Sequence, residues 1–291
     1  MISINTNYGG LFASKAASQS QRMLDTAMER LSTGKRINYA TDDAAGQAIA
    51  VRLQAEIEGI AMATRNVADA QSLMDTADGA LAETSNILLR MRELAVQAST
   101  GTLNSDDNAA LDAEFQQLEA EIDRIASSSK WAGSDLFTGT ARVFHIGTKA
   151  TDTLSHTIGK MAAHDLGVDT AGPDNKTNAT AGHADNTDNE VRDLTTATNA
   201  AGVITAVDNA IKLVSTERGK LGAVSNRLSS TIANLDLVGI NLSASKGRIA
   251  DTDFAVESAN LAKNQILQQA GVSMLAQANA SQSTVLSLIQ K

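Results

Sequence analysis

Four histidines, His145, His156, His164 and His183, fall in one middle stretch of this 291-residue chain, and a metal centre would have to be built from them. Imidazole ligands ask for a recurring spacing such as HxxxH with a carboxylate beside it, and no pair of the four has it. They read as surface histidines. Asp42 and Asp43 offer a carboxylate pair, but adjacent acids just ahead of an apolar stripe suit a helix start better than acid–base work. The chain has no cysteine, which excludes disulfides, thiolate metal sites and cysteine nucleophiles together. No GxSxG, Walker or GxGxxG signature occurs, so acyl transfer and nucleotide use have no support. Neither an enzyme nor a cofactor-binding protein is expected. Met23, Met28, Met74, Met91 and Met274 lie at helical spacing on or beside apolar stripes and read as packing residues. Two N-glycosylation patterns, Asn175-Lys176-Thr177 and Asn178-Ala179-Thr180, stand in an Asn/Thr-rich loop where chance produces them readily.

The elements that position these residues follow from composition. Hydrophobic residues make up 43% of the chain while aromatics make up only 3%, so Ala, Leu, Ile, Val and Met carry the apolar share. That is a helix-forming set, short of the rings that fill a thick core. With a single proline, Pro173, almost nothing forbids very long helices, and elongated packing is expected. Lys and Arg number 24 against 33 Asp and Glu, a net charge of -9. No basic run exceeds a pair, so nucleic acid and anionic membranes are not expected partners. Met1 to Leu11 lacks the basic start and apolar run of a secretory signal, and nowhere do about 18 apolar residues stand together to span a membrane. Export would have to leave the N-terminus uncleaved.

A stripe of Ala13, Ala17, Ser20, Leu24, Ala27 and Leu31 marks a first helix whose face is made mostly of small residues. It buries little area and is marginal alone. After the break at Ser32 to Gly34, a stripe from Ala44 to about Ala98 predicts a helix on the order of 80 Å long. A cap-rich turn at Gly101 to Asn108 leads into a returning helix through Leu111, Phe115, Leu118, Ile122 and Ile125. Ser127 to Thr140 reads as a loop anchored by Trp131, Leu136 and Phe137. Alternation at Phe144, Ile146, Leu154 and Ile158 predicts a small β-hairpin. Residues 169–202, rich in Thr, Asn, Asp and Gly, read as a short exposed variable insertion. Val207, Ile211, Val214, Leu221, Leu228, Ile232, Leu235 and Leu242 then repeat over about five heptads, a coiled-coil signal. A break at Gly247 precedes a last helix, Thr252 to Ile289, with Leu267, Ala270, Met274, Ala278, Val285 and Leu288 on its stripe. The expected fold is therefore mainly α: a long antiparallel helical coiled-coil bundle with a small β-hairpin.

Several motifs, in order, carry a resemblance. Glu29-Arg30-Leu31-Ser32-Thr33-Gly34-Lys35-Arg36-Ile37-Asn38 and Asp42-Asp43-Ala44-Ala45-Gly46-Gln47-Ala48-Ile49-Ala50 open it. Thr76-Ala77-Asp78-Gly79-Ala80-Leu81 and Met91-Arg92-Glu93-Leu94-Ala95-Val96-Gln97 extend it, and Leu221 to Leu228, Ala250 to Glu257 and Gln265 to Gly271 complete it. This set resembles the bacterial flagellins over residues 1 to about 168 and about 203 to 291. Tyr39 stands where the family commonly has a small residue, and Ser281 where it often has proline.

The resemblance implies paired N- and C-terminal helices lining an inner tube, with central helices and a β-hairpin around it. It divides the chain into 1–43 and 248–291 for the two parts of the inner-tube domain, 44–168 for the central helical hairpin with its β-hairpin, the insertion 169–202, and 203–247 for the C-terminal helix of the central domain. It implies a subunit of the flagellar filament, secreted and extracellular, with a hook–filament junction protein as the alternative. Implied partners are further copies of the chain, an export chaperone and the type III export apparatus, and hook-associated junction and cap proteins. The assembly interface would be carried by Leu24, Leu31, Leu267, Met274, Val285 and Leu288. Arg90, Leu94 and Glu114 resemble the flagellin patch recognised by a Toll-like innate receptor, with Leu89 in place of the commoner Gln. The ends are expected to become helical only when neighbouring subunits supply the missing apolar surface.

Overall fold

A computed structural model describes residues 6–169 and 193–289, with the side chains of the last helix described as far as Thr284. In chain order these residues form α1 (Tyr8–Thr33), α2 (Ala44–Ala98), α3 (Ser105–Ser128), β1 (Lys130–Trp131), β2 (Ser134–Asp135), β3 (Ala141–His145), β4 (Thr153–Thr157), α4 (Ala163–Leu166), α5 (Ala197–Ala250) and α6 (Phe254–Ile289). Two compact units divide them: Met1–Glu58 with Val238–Lys291, and Gly59–Leu237. Helices α2 and α5 each run through the division. The units therefore part at Glu58 and Leu237, inside helices, and the expected boundaries at 43 and 247 fall within the terminal unit.

Helices begin where the sequence supplies acceptors for the orphan N–H groups of a first turn. Asn7 Oδ1 accepts from Gly10 N at 2.8 Å, Asp43 Oδ1 from Gly46 N at 2.9 Å, and Asp253 Oδ1 from Ala255 N at 2.9 Å. Asn104 and Asp107 form a reciprocal capping box at the start of α3. Asp42 closes the turn just ahead of α2, where its Oδ2 accepts from Asn38 N and Tyr39 N at 3.1 Å each, which holds its carboxyl below the usual carboxylate range. The Asp42–Asp43 pair is thus a helix-start device, as its spacing suggested.

In the terminal unit α1 and α6 lie antiparallel. Asn7 Nδ2 donates to Ala278 O at 3.4 Å at one end, and Thr252 N donates to Gly34 O at 3.0 Å at the other. The row of α1 turned to its partner contains Gly10, Ala13, Ser20, Leu24 and Ala27, all buried. Small residues let two helix axes approach, and Gly271 of α6 marks a close approach: a Cβ there would stand 3.3 Å from Ala17 Cβ and 3.5 Å from Ala17 Cα. Leu24 is the one large apolar side chain among those buried residues of α1. Burying a leucine contributes about 2 kcal/mol, far less than the ordering entropy of a 26-residue helix.

The larger unit has one continuous apolar core. Met74, Leu81, Leu88 and Met91 of α2, Phe115 and Ile122 of α3, and Leu221 and Leu228 of α5 are fully buried there. Cross-helix pairs set α2 and α5 antiparallel: Arg92 with Asp208 at 2.7 Å, Arg218 with Asp78 at 2.7 Å, and Gln71 with Ser229 at 3.3 Å. Strands β3 and β4 pair antiparallel with Phe144 opposite Leu154, the expected hairpin.

Three elements depart from the sequence reading. The stretch read as a loop contains the tight hairpin β1–β2, whose turn holds Ala132 at φ 48 and Gly133 at φ 81. Two successive positive φ angles give the mirror-image turn that matches strand twist, a place usually filled by Asn-Gly or Asp-Gly. Helix α5 continues through Gly247 to Ala250. The insertion also ends sooner than residue 202, because α5 begins at Ala197 and both Leu194 and Ala200 are fully buried. Pro173, His183 and the two glycosylation patterns lie outside the described residues.

Two carboxylates on α3, the buried Asp112 and the exposed Asp123, pin the segments that flank the insertion. Asp112 Oδ1 accepts from Leu194 N at 2.9 Å and Asp123 Oδ1 from Ala163 N at 2.8 Å. Truncating Asp112 to alanine strands a buried N–H, so Asp112→Ala is expected to cost the larger unit about 1–3 kcal/mol, read by urea denaturation.

Candidate assembly surface

The terminal pair buries one row of each helix and leaves the others open. On α6 the more covered row is Glu257, Leu261, Asn264, Gln268, Gly271, Leu275, Ala278 and Gln282, spaced alternately four and three apart. Polar and small side chains dominate it. The neighbouring row of Val256, Lys263, Leu267 and Met274 is exposed, with Leu267 at 45% and Met274 at 62%. Ile266 and Val272 are exposed on further faces of α6, as are Leu11, Phe12, Met23 and Met28 on α1. So many large apolar side chains open to solvent on one helix pair mark an interaction surface.

The residues expected at the assembly interface thus fall into two groups. Leu24 is buried and Leu31 partly buried inside the α1–α6 pair, where they hold the two helices together. Leu267 and Met274 face outward. The side chains of Val285 and Leu288 lie outside the described residues. Sequence periodicity selected the greasier row of α6, whereas the row that meets α1 is the smaller and more polar one.

Arg90 and Glu114 meet between α2 and α3, and Leu94 differs from both in access. Arg90 donates to Glu114 Oε1 through Nη2 at 2.8 Å and to Glu93 Oε2 through Nη1 at 3.0 Å, and these two acids raise its already high pKa. Leu89 beside it is exposed. Leu94, at 1% exposure, is a core residue, so it can shape this surface only from beneath.

The histidines do not converge. His145 is exposed, His164 lies 3.9 Å from Asp169, and His156 is half-buried with Nε2 shielded and unpaired, burial pushing its pKa down. The buried carboxylate near His156 is Glu217, which accepts from Gly159 N at 3.1 Å and pairs with Lys220 at 3.0 Å, so it ties the end of the β3–β4 hairpin to α5. Sequence reasoning passed over Glu217, although an acid inside an apolar heptad run is the kind of signal that marks a buried anchor. Among the described residues no group of three His, Cys, Asp or Glu could hold a metal ion, and no helix is long and apolar enough to cross a membrane.

Comparison with known proteins agrees with this architecture. The family described as the bacterial flagellin N-terminal helical region matches residues 4–142, and the bacterial flagellin C-terminal helical region matches residues 204–289. A flagellin of Bacillus subtilis is 40% identical over 306 residues, covering 99% of both chains. A flagellin of Halalkalibacterium halodurans is 42% identical over 264 residues, covering 91% of both. A structure from Vibrio parahaemolyticus, provisionally described as a flagellar hook-associated protein, superposes with a TM-score of 0.55 at 16% identity, covering 72% of this chain and all of that one; it speaks for the fold alone.

Proposed function

This chain belongs to the bacterial flagellin family and is a structural subunit of the flagellar filament; we propose that it joins its neighbours through the open apolar rows of α1 and α6. The observation that carries the proposal is the pair itself: its inward rows are mostly small and polar, with a few leucines among them, while most of its large apolar side chains face out. A further copy of the chain covers them in the filament. Because α1 buries so little, the pair orders fully only on assembly, and circular dichroism should find the filament more helical than the free monomer.

The test is polymerisation of the purified chain. Full-length protein is expected to form filaments visible by electron microscopy under salting-out conditions. Deleting residues 250–291 should abolish them while the larger unit keeps its cooperative melt; filaments from that truncation would refute the proposal.

The remaining partners follow from the same surface and the family's role. Before assembly the exposed row of α6 is held by an export chaperone, and the chain leaves through the flagellar type III apparatus to an extracellular filament bounded by hook-associated junction and cap proteins. The role is structural, without enzymatic chemistry. The Arg90–Glu93–Glu114 cluster with Leu89 forms a second, outward surface that suits a Toll-like innate receptor. Arg90→Ala is expected to reduce a receptor reporter response to monomer at least about tenfold, the cost of one anchoring arginine. Leu94→Ala should instead lower thermal stability, and an unchanged response to Arg90→Ala would remove the receptor from these partners.

A further inference from the structure

Beside the seam of the terminal pair runs an open groove lined by Arg22, Met23 and Arg30 of α1 and by Glu257 and Lys263 of α6. Its charge is unbalanced. Three cations face one carboxylate, and the contact of that carboxylate with Arg30 is long, 3.9 Å. The Arg30 Nε–H is shielded from solvent and has no acceptor. Arg22 and Lys263 make no ion pair among the described residues. Such a groove suits an incoming carboxylate.

The opposite flank of α1 is complementary. Gln21, Asp25, Met28 and Ser32 form a row of their own, spaced four, three and four apart, and none of them lines the groove. Gln21 bridges to Gln268 of α6 on that side, and it also donates to Asp25 Oδ1 at 2.8 Å. Asp25 is exposed and has no cationic partner among the described residues. The pair therefore carries a positive groove on one flank and an unpaired acid on the other, with exposed methionines, Met23 and Met28, at both places.

We propose that the groove of Arg22, Arg30 and Lys263 receives the Asp25 carboxylate of a second copy. Two like flanks would set cations against cations, so the charge pattern disfavours a two-fold dimer and selects a head-to-tail joint. Repeated head-to-tail contact is what closes a ring or winds a helical tube. The proposal rests on the filament reading and adds the register of its innermost lateral joint.

The absence of cysteine gives a clean background for the test. Chains carrying Asp25→Cys are mixed with chains carrying Lys263→Cys, polymerised and oxidised. A disulfide-linked heterodimer is expected from the mixture and none from either variant alone. In parallel, Asp25→Lys and Lys263→Glu should each raise the critical concentration for polymerisation about tenfold, and both changes in one chain should restore it to near the parent value. Urea denaturation of each variant monomer is expected to match the parent for the larger unit, and recovered polymerisation of the double variant shows that the terminal pair still orders. Filaments that form normally from both single variants and yield no heterodimer would overturn the joint and leave the filament reading standing. A parent chain that never polymerises would overturn the filament reading itself.

Discussion

Replacing Gly271 with leucine is expected to abolish filament formation while the larger unit stays folded. A Cβ at this position already meets Ala17 Cβ at 3.3 Å and the Ala17 backbone at 3.5 Å, so the further carbons of leucine have nowhere to go except between the helices. Overpacking of this kind costs about 1–3 kcal/mol in a thick core. Here it acts on a pair in which α1 fully buries one large apolar residue, so there is little packing to absorb the cost. Gly271→Ala serves as the control: its single carbon requires Ala17 to yield by a few tenths of an ångström and relieves the entropy cost of glycine in a helix, so filaments should persist. Sedimentation of polymer from monomer reads both outcomes, and normal filaments from the leucine variant would mean that α1 and α6 do not pack as described.

Phe115→Ala is expected to have the largest effect on the stability of the other unit. Its ring is completely buried against the α2 and α5 contributions to the core, and removing a buried phenylalanine typically costs about 3–5 kcal/mol. For a unit of this size that corresponds to a fall in Tm of roughly 6–20 °C. Glu114→Ala, one residue away on the exposed face, removes a surface ion pair and should move Tm by only a degree or two, about what a solvent-exposed pair is worth. A calorimetric scan of the two variants separates them, and equal shifts would place Phe115 outside the core.

Much of this fold could be read from spacing. The stripe that predicted a helix from Ala44 to about Ala98 falls on α2 with the same bounds, because a long proline-free apolar period has one structural solution. The returning helix and the β3–β4 hairpin were legible for the same reason. What escaped depends on contacts that spacing does not encode. Ala132 gives no turn signal, yet neighbouring strands hold it at positive φ. Leu194 lies in a stretch read as a polar exposed insertion, yet its side chain joins the apolar core and its N–H donates to the Asp112 carboxylate, neither of which local spacing encodes.

The assembly surface was half legible. Periodicity found both terminal stripes but gave no means of telling the row that faces the chain's own partner from the row that faces another copy. In α1 the stripe chosen from spacing is the row that meets α6, since Leu24 and Leu31 turn toward it, while Met23 and Met28 stay open. In α6 it is not, since close approach favours Gly271 and small polar neighbours inward and leaves Leu267 and Met274 outward. Leu94 shows the same limit in the larger unit, where a motif match placed on the surface a side chain that the fold buries.

Methionine oxidation followed by mass spectrometry tests the covering of the terminal rows most directly. Met23, Met28 and Met274 are 48%, 54% and 62% exposed in the single chain, while Met74 and Met91 are buried and serve as internal references. In free monomer, dilute peroxide should oxidise the first three quickly to sulfoxides and spare the other two. In assembled filaments all five should be slow. If Met274 and Met28 oxidise as fast in the filament as in the monomer, neighbouring copies do not cover α1 and α6, and filament assembly through these helices is wrong.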